Sequence, residues 1–364
     1  MKTSEQLFDL AALFVPAADI AEVKAMGEGF INDTFVVKTV PGKPNYILQR
    51  KNHVVFPDVP AMMDNIERVT AHLRRKVAEA GGDPDRNVLK VVRTLTDQKP
   101  YYKDADGNFW AVCEFIDGSI TYSRADSPEL AFKGGQGIGR FQAQLADFEG
   151  TLAEVIKGFH NIRWRFHQWD ETIAADPVGR VAELKEEIGW IESRRAEMLD
   201  FWSRVESGEI PMRVTHNDTK ISNILFDKDG EVLCVIDLDT VMSSTALNDF
   251  GDAIRSYTNT GAEDDKDLSR VGMDINMFKA YTEGYLSERK ATMTQSEIDW
   301  LAFSARYITY EQVLRFLMDY IDGDKYYKTT YAEHNLVRTH AQYRLLCSME
   351  EQYPQMQAIV KGAL

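Results

Sequence analysis

A chain of 364 residues with 44% hydrophobic and 27% charged residues has the makeup of a globular protein, most simply of two domains. That apolar content excludes disorder as the main state, because it can bury a core. Lys plus Arg is 42 against 57 for Asp plus Glu, a net charge of −15, which excludes a general nucleic-acid binder but not a local pocket for one nucleotide.

The three cysteines, Cys113, Cys234 and Cys347, match no zinc spacing and make a poor disulfide framework, so a reducing cytoplasm is the expected setting. The N-terminal stretch carries acids inside its apolar run and reads as an amphipathic helix rather than a signal peptide. No apolar run approaches the roughly 18 residues of a membrane span, so no membrane partner is expected. No protein partner is evident.

In chain order, residues 5–15 read as a helix, followed by a strand, a Gly turn and a second strand over VKAMGEGFINDTFVVKTV. Pro41-Gly42 marks a hairpin turn before a third strand at Asn45–Lys51. Met63, Ile66, Val69, Leu73 and Val77 recur at helical spacing, and Gly81-Gly82 ends that helix. Two more strands, NVLKVVRTL and NFWAVCEFI, are joined by Asp106-Gly107. Past Asp117 the pattern turns helical, over 128–148, 179–206, 275–288, 295–321 and 332–362, with a short β insertion at 213–239. The expected organisation is a small sheet domain over 1–117 and a larger helical one over 118–364.

The chemistry concentrates in RVTHNDTKISNILFDKDGEVLCVIDLD, residues 213–239. Asp218 presents a carboxylate, Lys220 an ammonium and Asn223 an amide. A hairpin with a turn at Asp227–Gly230 then brings Asp237 back beside Asn223. An amide oxygen and a carboxylate side by side suit Mg²⁺ carrying phosphate. A base for the attacking hydroxyl, a cation for the γ-phosphate and a metal pair are what phosphoryl transfer needs. This order, H-x-D-x-K-x-x-N followed by a hairpin and I-D, is that of a kinase catalytic loop and metal aspartate.

Asp249-Phe250-Gly251 spells a kinase metal motif but does not end the hairpin strand. Asp249 and Asp252 are read as residues that bond loop backbone or pair with Arg255. Gly135-Gln136-Gly137-Ile138-Gly139 follows no strong strand and is read as the start of a closely packed helix rather than a dinucleotide fingerprint. The Gly turn Gly27–Thr34, with Gly27, Gly29 and Asn32, is placed over the ATP phosphates. Arg50 or Gln49 takes the place of a phosphate-binding lysine, and Glu114 to Ile116 form the adenine hinge.

These residues resemble the aminoglycoside phosphotransferase and choline kinase superfamily, and within it the N-acetylhexosamine 1-kinases. The resemblance rests on GEGFINDTF (27–35), YILQR (46–50), VTHNDTKISNIL (214–225), VIDLDTVM (235–242), DFGDAIR (249–255), AYTEGY (280–285), RFLMDYIDGDKYY (315–327) and EHNLVRT (333–339). It implies a bilobal α+β protein-kinase-like fold with a small N-terminal antiparallel lobe and a mostly helical C-terminal lobe. It implies Asp218 as catalytic base, Asn223 and Asp237 holding Mg²⁺, and Thr240, Arg315 and Tyr326 meeting the sugar. ATP would then phosphorylate the 1-hydroxyl of N-acetylglucosamine or N-acetylgalactosamine. Phe30 stands where the family can carry a sugar-side His, which bears on which hexosamine is preferred. The alternatives are a choline- or aminoglycoside-type substrate, or a nucleotide binder without catalysis.

Overall fold

The computed structural model describes residues 2–26 and 31–364. The chain packs as two compact units. The first runs to Thr121 and adds Asp147–Lys157 and Asn223–Met242; the second holds Tyr122–Ala146, Gly158–Ser222 and Ser243–Leu364. The sequence reading makes one division, after residue 117; in the packing, two later stretches join the first unit.

Ten strands lie among the described residues: β1 Ile20–Ala25, β2 Asp33–Thr39, β3 Tyr46–Lys51, β4 Val91–Val92, β5 Tyr102–Lys103, β6 Phe109–Glu114, β7 Met212–Thr215, β8 Ile224–Phe226, β9 Val232–Val235 and β10 Met242–Thr245. The first six make one antiparallel sheet in the order β1-β2-β3-β6-β4, with β5 on β6. Sequence patterning expects five strands. The stretch 87–95 keeps only two residues in its strand, because Asp83 and Pro84 start a helical turn that runs to Asn87. The extra strand, β5, is too short for alternation to reveal.

The N-terminal helix Ser4–Ala12 opens with a capping box between Thr3 and Gln6. It lays Leu7, Leu10 and the following Phe14 on Val37, Leu48, Trp110 and Val112. This fixes the faces of β3, since even-numbered Leu48 points into that core and its odd-numbered neighbours point the other way. Helix Val59–Glu79 starts at Asp58, whose carboxylate accepts from Ala61 N–H at 3.0 Å, and buries Met63, Ile66, Val69, Leu73 and Val77. The hairpin β8–β9 packs Leu225 and Cys234 against Ile116.

The second unit is helical: Pro128–Gln144, Ile162–Ala175, Lys185–Glu192, Arg195–Glu206, Ala246–Tyr257, Ile275–Arg289, Gln295–Asp299, Leu301–Asp322, His334–Glu351 and Tyr353–Gly362. Helices Ile162–Ala175 and Ala246–Tyr257 are absent from the sequence reading. The first buries only Ile162, Arg165, Phe166 and Trp169, a stripe that includes a charge; the second is buried on nearly all sides, yet carries Leu247, Phe250, Ile254 and Tyr257 at helical spacing. Pro354 starts a new helix where patterning runs 332–362 together.

Two of these helices meet backbone to backbone. A Cβ on Gly135 or Gly139 would fall inside the carbonyl oxygens of Tyr281 and Tyr285, and one on Gly284 inside that of Phe132. The Gly-rich run is thus a close packing surface, as expected, but it lies inside helix Pro128–Gln144 rather than at its start. Gly284→Ala is expected to lower stability by about 3 kcal/mol, because neither facing backbone can yield. Gly189→Ala, with open space at its Cβ, is the control in the same denaturant titration.

Candidate active site

The first unit contributes a turn at the end of the hairpin. Ile236 N–H donates to the Asn223 carbonyl at 2.9 Å, which sets Asn223 and Asp237 at the same end of β8–β9. Asp237 sits at φ +60°, a left-handed conformation that costs a non-glycine residue energy and redirects the chain into the turn Leu238–Thr240. Thr240 closes that turn and is buried. An amide oxygen and a carboxylate are hard donors, and Mg²⁺ takes few protein ligands, with water and phosphate oxygens for the rest. The pair fits such an ion; among the described residues no group of three or more His, Cys, Asp or Glu forms a fuller metal cluster.

Beside this turn lies a residue that sequence reasoning missed. Lys51, 5% exposed, places Nζ 2.7 Å from Asp239 Oδ1 and donates to Gln49 Oε1 at 2.7 Å. Asn32 donates to the other oxygen, Oδ2, at 2.7 Å, and its own Oδ1 accepts from Asn52 N–H at 3.0 Å. Asn32, Gln49, Lys51 and Asp239 therefore form one buried network. Arg50 is on the opposite face: it pairs with Asp33 at 2.5 Å, contacts Asn108 and stays exposed. The strand alternation that places Leu48 in the core assigns these faces, once the N-terminal helix is known to cover Leu48.

The residues expected to form the hinge are engaged locally. Glu114 pairs with Lys90 at 2.9 Å and its N–H donates to the Lys90 carbonyl; Phe115 N–H donates to Asn45, and the Ile116 carbonyl accepts from Ser119. Ile116, Leu225 and Cys234 make an apolar patch. Gly27 and Gly29, expected over the phosphates, and Phe30 lie outside the described residues.

The second unit contributes the loop after β7. Asp249, fully buried on helix Ala246–Tyr257, accepts from His216 N–H at 2.9 Å and Asn217 N–H at 2.7 Å, and from Gln142 Nε2 at 2.7 Å. Burial pushes its carboxyl above the ordinary aspartate range, against the pull of those donors. Asp252 accepts from Thr219 N–H at 2.8 Å and meets Arg255 at 3.3 Å. Both aspartates thus hold loop backbone, the role read for them from sequence. Asp218 then stands half-buried with Lys220 Nζ at 2.7 Å.

Arg315 and Tyr326 come together at a cavity of about 240 Å³, which Arg165, Asp319 and Tyr327 also line. The Arg315 guanidinium lies 5.8 Å from the Tyr326 ring centre and 5.4 Å from that of Phe159. Asp319 is committed to structure: it accepts from the N–H groups of Lys325, Tyr326 and Tyr327 and from Asn335 Nδ2, all within 3.0 Å. Next to the cavity, buried Glu311 meets His160 Nδ1 at 2.6 Å and Arg165 Nε at 3.3 Å. Burial alone would raise its carboxyl, but His160, Arg165 and Arg315 outweigh it and hold the group down at about 2.

A depressed carboxyl contributes stability above its unfolded value, near 4.5, and that contribution is lost as pH falls through about 2. Glu311 is expected to supply about 3 kcal/mol above pH 5. Urea titrations from pH 6 to 2 should show a shallower acid fall in Glu311→Gln than in the unchanged chain, and parallel curves would refute the assignment.

Among the described residues no helix is long and apolar enough to cross a membrane. The phosphotransferase enzyme family model (APH) matches residues 22–283. A microcompartment-associated aminopropanol kinase is similar at 15% identity and a TM-score of 0.61, over 96% of this chain and 98% of that one. The amicoumacin kinase hAmiN, solved with AMP-PNP, Ca²⁺ and Ami, is 14% identical with a TM-score of 0.58, over 95% and 94%. A choline kinase from Cryptosporidium parvum Iowa II is 15% identical with a TM-score of 0.57, over 99% of each chain. At such identities the likeness is one of fold, and it matches the α+β protein-kinase-like architecture expected from the sequence. With 262 of 364 residues inside the family match, the chain belongs to the phosphotransferase enzyme family.

Proposed function

We propose that this chain is an ATP- and Mg²⁺-dependent kinase that phosphorylates the anomeric hydroxyl of an N-acetylhexosamine, giving the sugar 1-phosphate and ADP. The observation that carries the reaction is Asp218, half-buried on a loop whose backbone Asp249 and Asp252 hold, with Lys220 at 2.7 Å. Asp218 orients the 1-hydroxyl and takes its proton as that oxygen bonds to the γ-phosphorus. The bond from the γ-phosphorus to the β,γ-bridging oxygen breaks, and its electron pair leaves with ADP. Lys220 offsets charge beside the base. Asn223 and Asp237 would hold Mg²⁺, which when bound neutralises phosphate charge. Lys51, rather than Arg50, is the cation of β3 that we assign to phosphate, and Asn32 and Asp239 keep it in place. The apolar patch of Ile116, Leu225 and Cys234 suits an adenine ring.

The charge of the cavity favours a neutral sugar over an ammonium substrate. Two guanidiniums, Arg165 and Arg315, line it, Asp319 is saturated by four donors, and Asp322 pairs with Lys325 at 2.9 Å. A cationic substrate needs carboxylates or aromatic faces that are not shared with cations. Arg315 and Tyr326 offer fixed donors and an amphipathic ring, and with Thr240 they are the residues assigned to the sugar. The choline- or aminoglycoside-type alternative rests on what the similar kinases act on, by their names.

Asp218→Asn is expected to lower kcat about 1,000-fold while ATP binding stays within twofold. ADP release should be confined to N-acetylglucosamine and N-acetylgalactosamine in a panel that includes galactose, choline and kanamycin. A signal with choline or kanamycin alone would move the substrate and keep the mechanism; near-normal turnover by Asp218→Asn would end the reading. Lys51→Met should raise KM for ATP at least tenfold and Arg50→Met by less than twofold, by the usual weight of a charge-assisted contact. The reverse order would return the phosphate role to Arg50.

A further inference from the structure

The peptide bond joining Asn217 to Asp218 has a histidine ring at each of its polar atoms. Its N–H, on Asp218, donates to His216 Nδ1 at 3.2 Å. Its carbonyl, on Asn217, faces His160 Nε2 at 3.4 Å. The other nitrogen of His160 is the one held by Glu311 at 2.6 Å. A carboxylate and a carbonyl are both acceptors, so the ring satisfies both only by donating from each nitrogen.

This arrangement is costly to build. Glu311 is 1% exposed and His160 7%, and a buried ion pair stabilises a core less well than apolar side chains of the same volume. The pair ends on a single backbone carbonyl, the one beside Asp218. Asn217 holds φ at +65°, a region that asparagine tolerates but does not favour, so its peptide plane needs fixing from outside. Asp249 fixes the N–H side of Asn217, and nothing in that contact sets the following plane.

Resting on the kinase reading above, we propose that His160 and Glu311 are positioning residues: they fix the peptide plane that precedes Asp218 and so aim its carboxylate at the acceptor hydroxyl. The His160 ring meets the Glu311 carboxylate, on which Arg165 and Arg315 also act, and the Tyr307 hydroxyl donates to the His160 backbone carbonyl at 2.7 Å. Arg165 lines the cavity, and Arg315 lies over Phe159, whose ring is 4.3 Å from that of His160. A sugar seated on the two arginines therefore leans on the same pair that orients the base.

His160→Phe keeps the ring volume and removes both donors; His160→Gln returns one donor of similar reach. With ATP and an N-acetylhexosamine, His160→Phe is expected to lower kcat about 30-fold with both KM values within threefold, the cost of a misaimed group. His160→Gln should recover most of that loss. Hydrogen–deuterium exchange at residues 217–219 should rise at least tenfold in His160→Phe, while helix Val59–Glu79 is unchanged. If His160→Phe does not fold, Glu311→Gln, which keeps the volume and an acceptor but not the charge, is read in the same way. A kcat within twofold of the unchanged chain overturns the proposal, as does unaltered exchange at 217–219, or a kcat loss that His160→Gln does not recover. A wild-type chain without turnover on any substrate would end the kinase reading instead, and the exchange measurement alone would then decide whether the pair fixes the loop.

Discussion

The carboxylate of Asp249 is the contact on which the loop after β7 depends. It is fully buried, and two of its partners are consecutive backbone N–H groups that no sheet or helix would otherwise satisfy. In a low-dielectric surrounding such bonds are strong and their loss is expensive, because each amide would be left bare. The side chain reaches the loop only because its helix is driven into the core: Gly251 lies against the Ser304 backbone, and Gln142 closes the remaining side. Three elements of the second unit thus meet at one carboxylate, the loop, helix Pro128–Gln144 and helix Ala246–Tyr257, and the loop inherits their rigidity.

Net charge is a poor guide to the cavity lined by Arg165 and Arg315. The chain carries −15, which by itself points toward cationic ligands. Locally the order reverses, because the cavity places Arg165 and Arg315 together and diverts Asp319 to backbone amides. Long-range field and short-range chemistry are set by different residues.

Much of the fold was legible in the sequence. Period-2 and period-3.6 patterns located the sheet, the helix after β3 and most C-terminal helices. Helix Ala246–Tyr257 was legible but passed over: Leu247, Phe250, Ile254 and Tyr257 repeat at helical spacing. The hairpin bearing Asn223 and Asp237 was readable because turn residues and strand length fix which ends meet. Lys51 was missed for a different reason. Its burial depends on the N-terminal helix covering Leu48 and on Asp239 arriving almost 190 residues later, and local alternation carries no record of either. The His160–Glu311 pair is likewise a long-range coincidence, 151 residues apart.

The interleaving of the two units has a consequence for synthesis. The first unit includes Asn223–Met242, about a hundred residues beyond the stretch that ends at Thr121. A nascent chain that has emerged only to Thr121 therefore lacks the strands that bury Ile116, Leu225 and Cys234 together. Vectorial folding of the sheet domain cannot finish before four helices of the other unit have left the ribosome, so this sheet waits with an apolar patch exposed, a window in which a chaperone has something to hold.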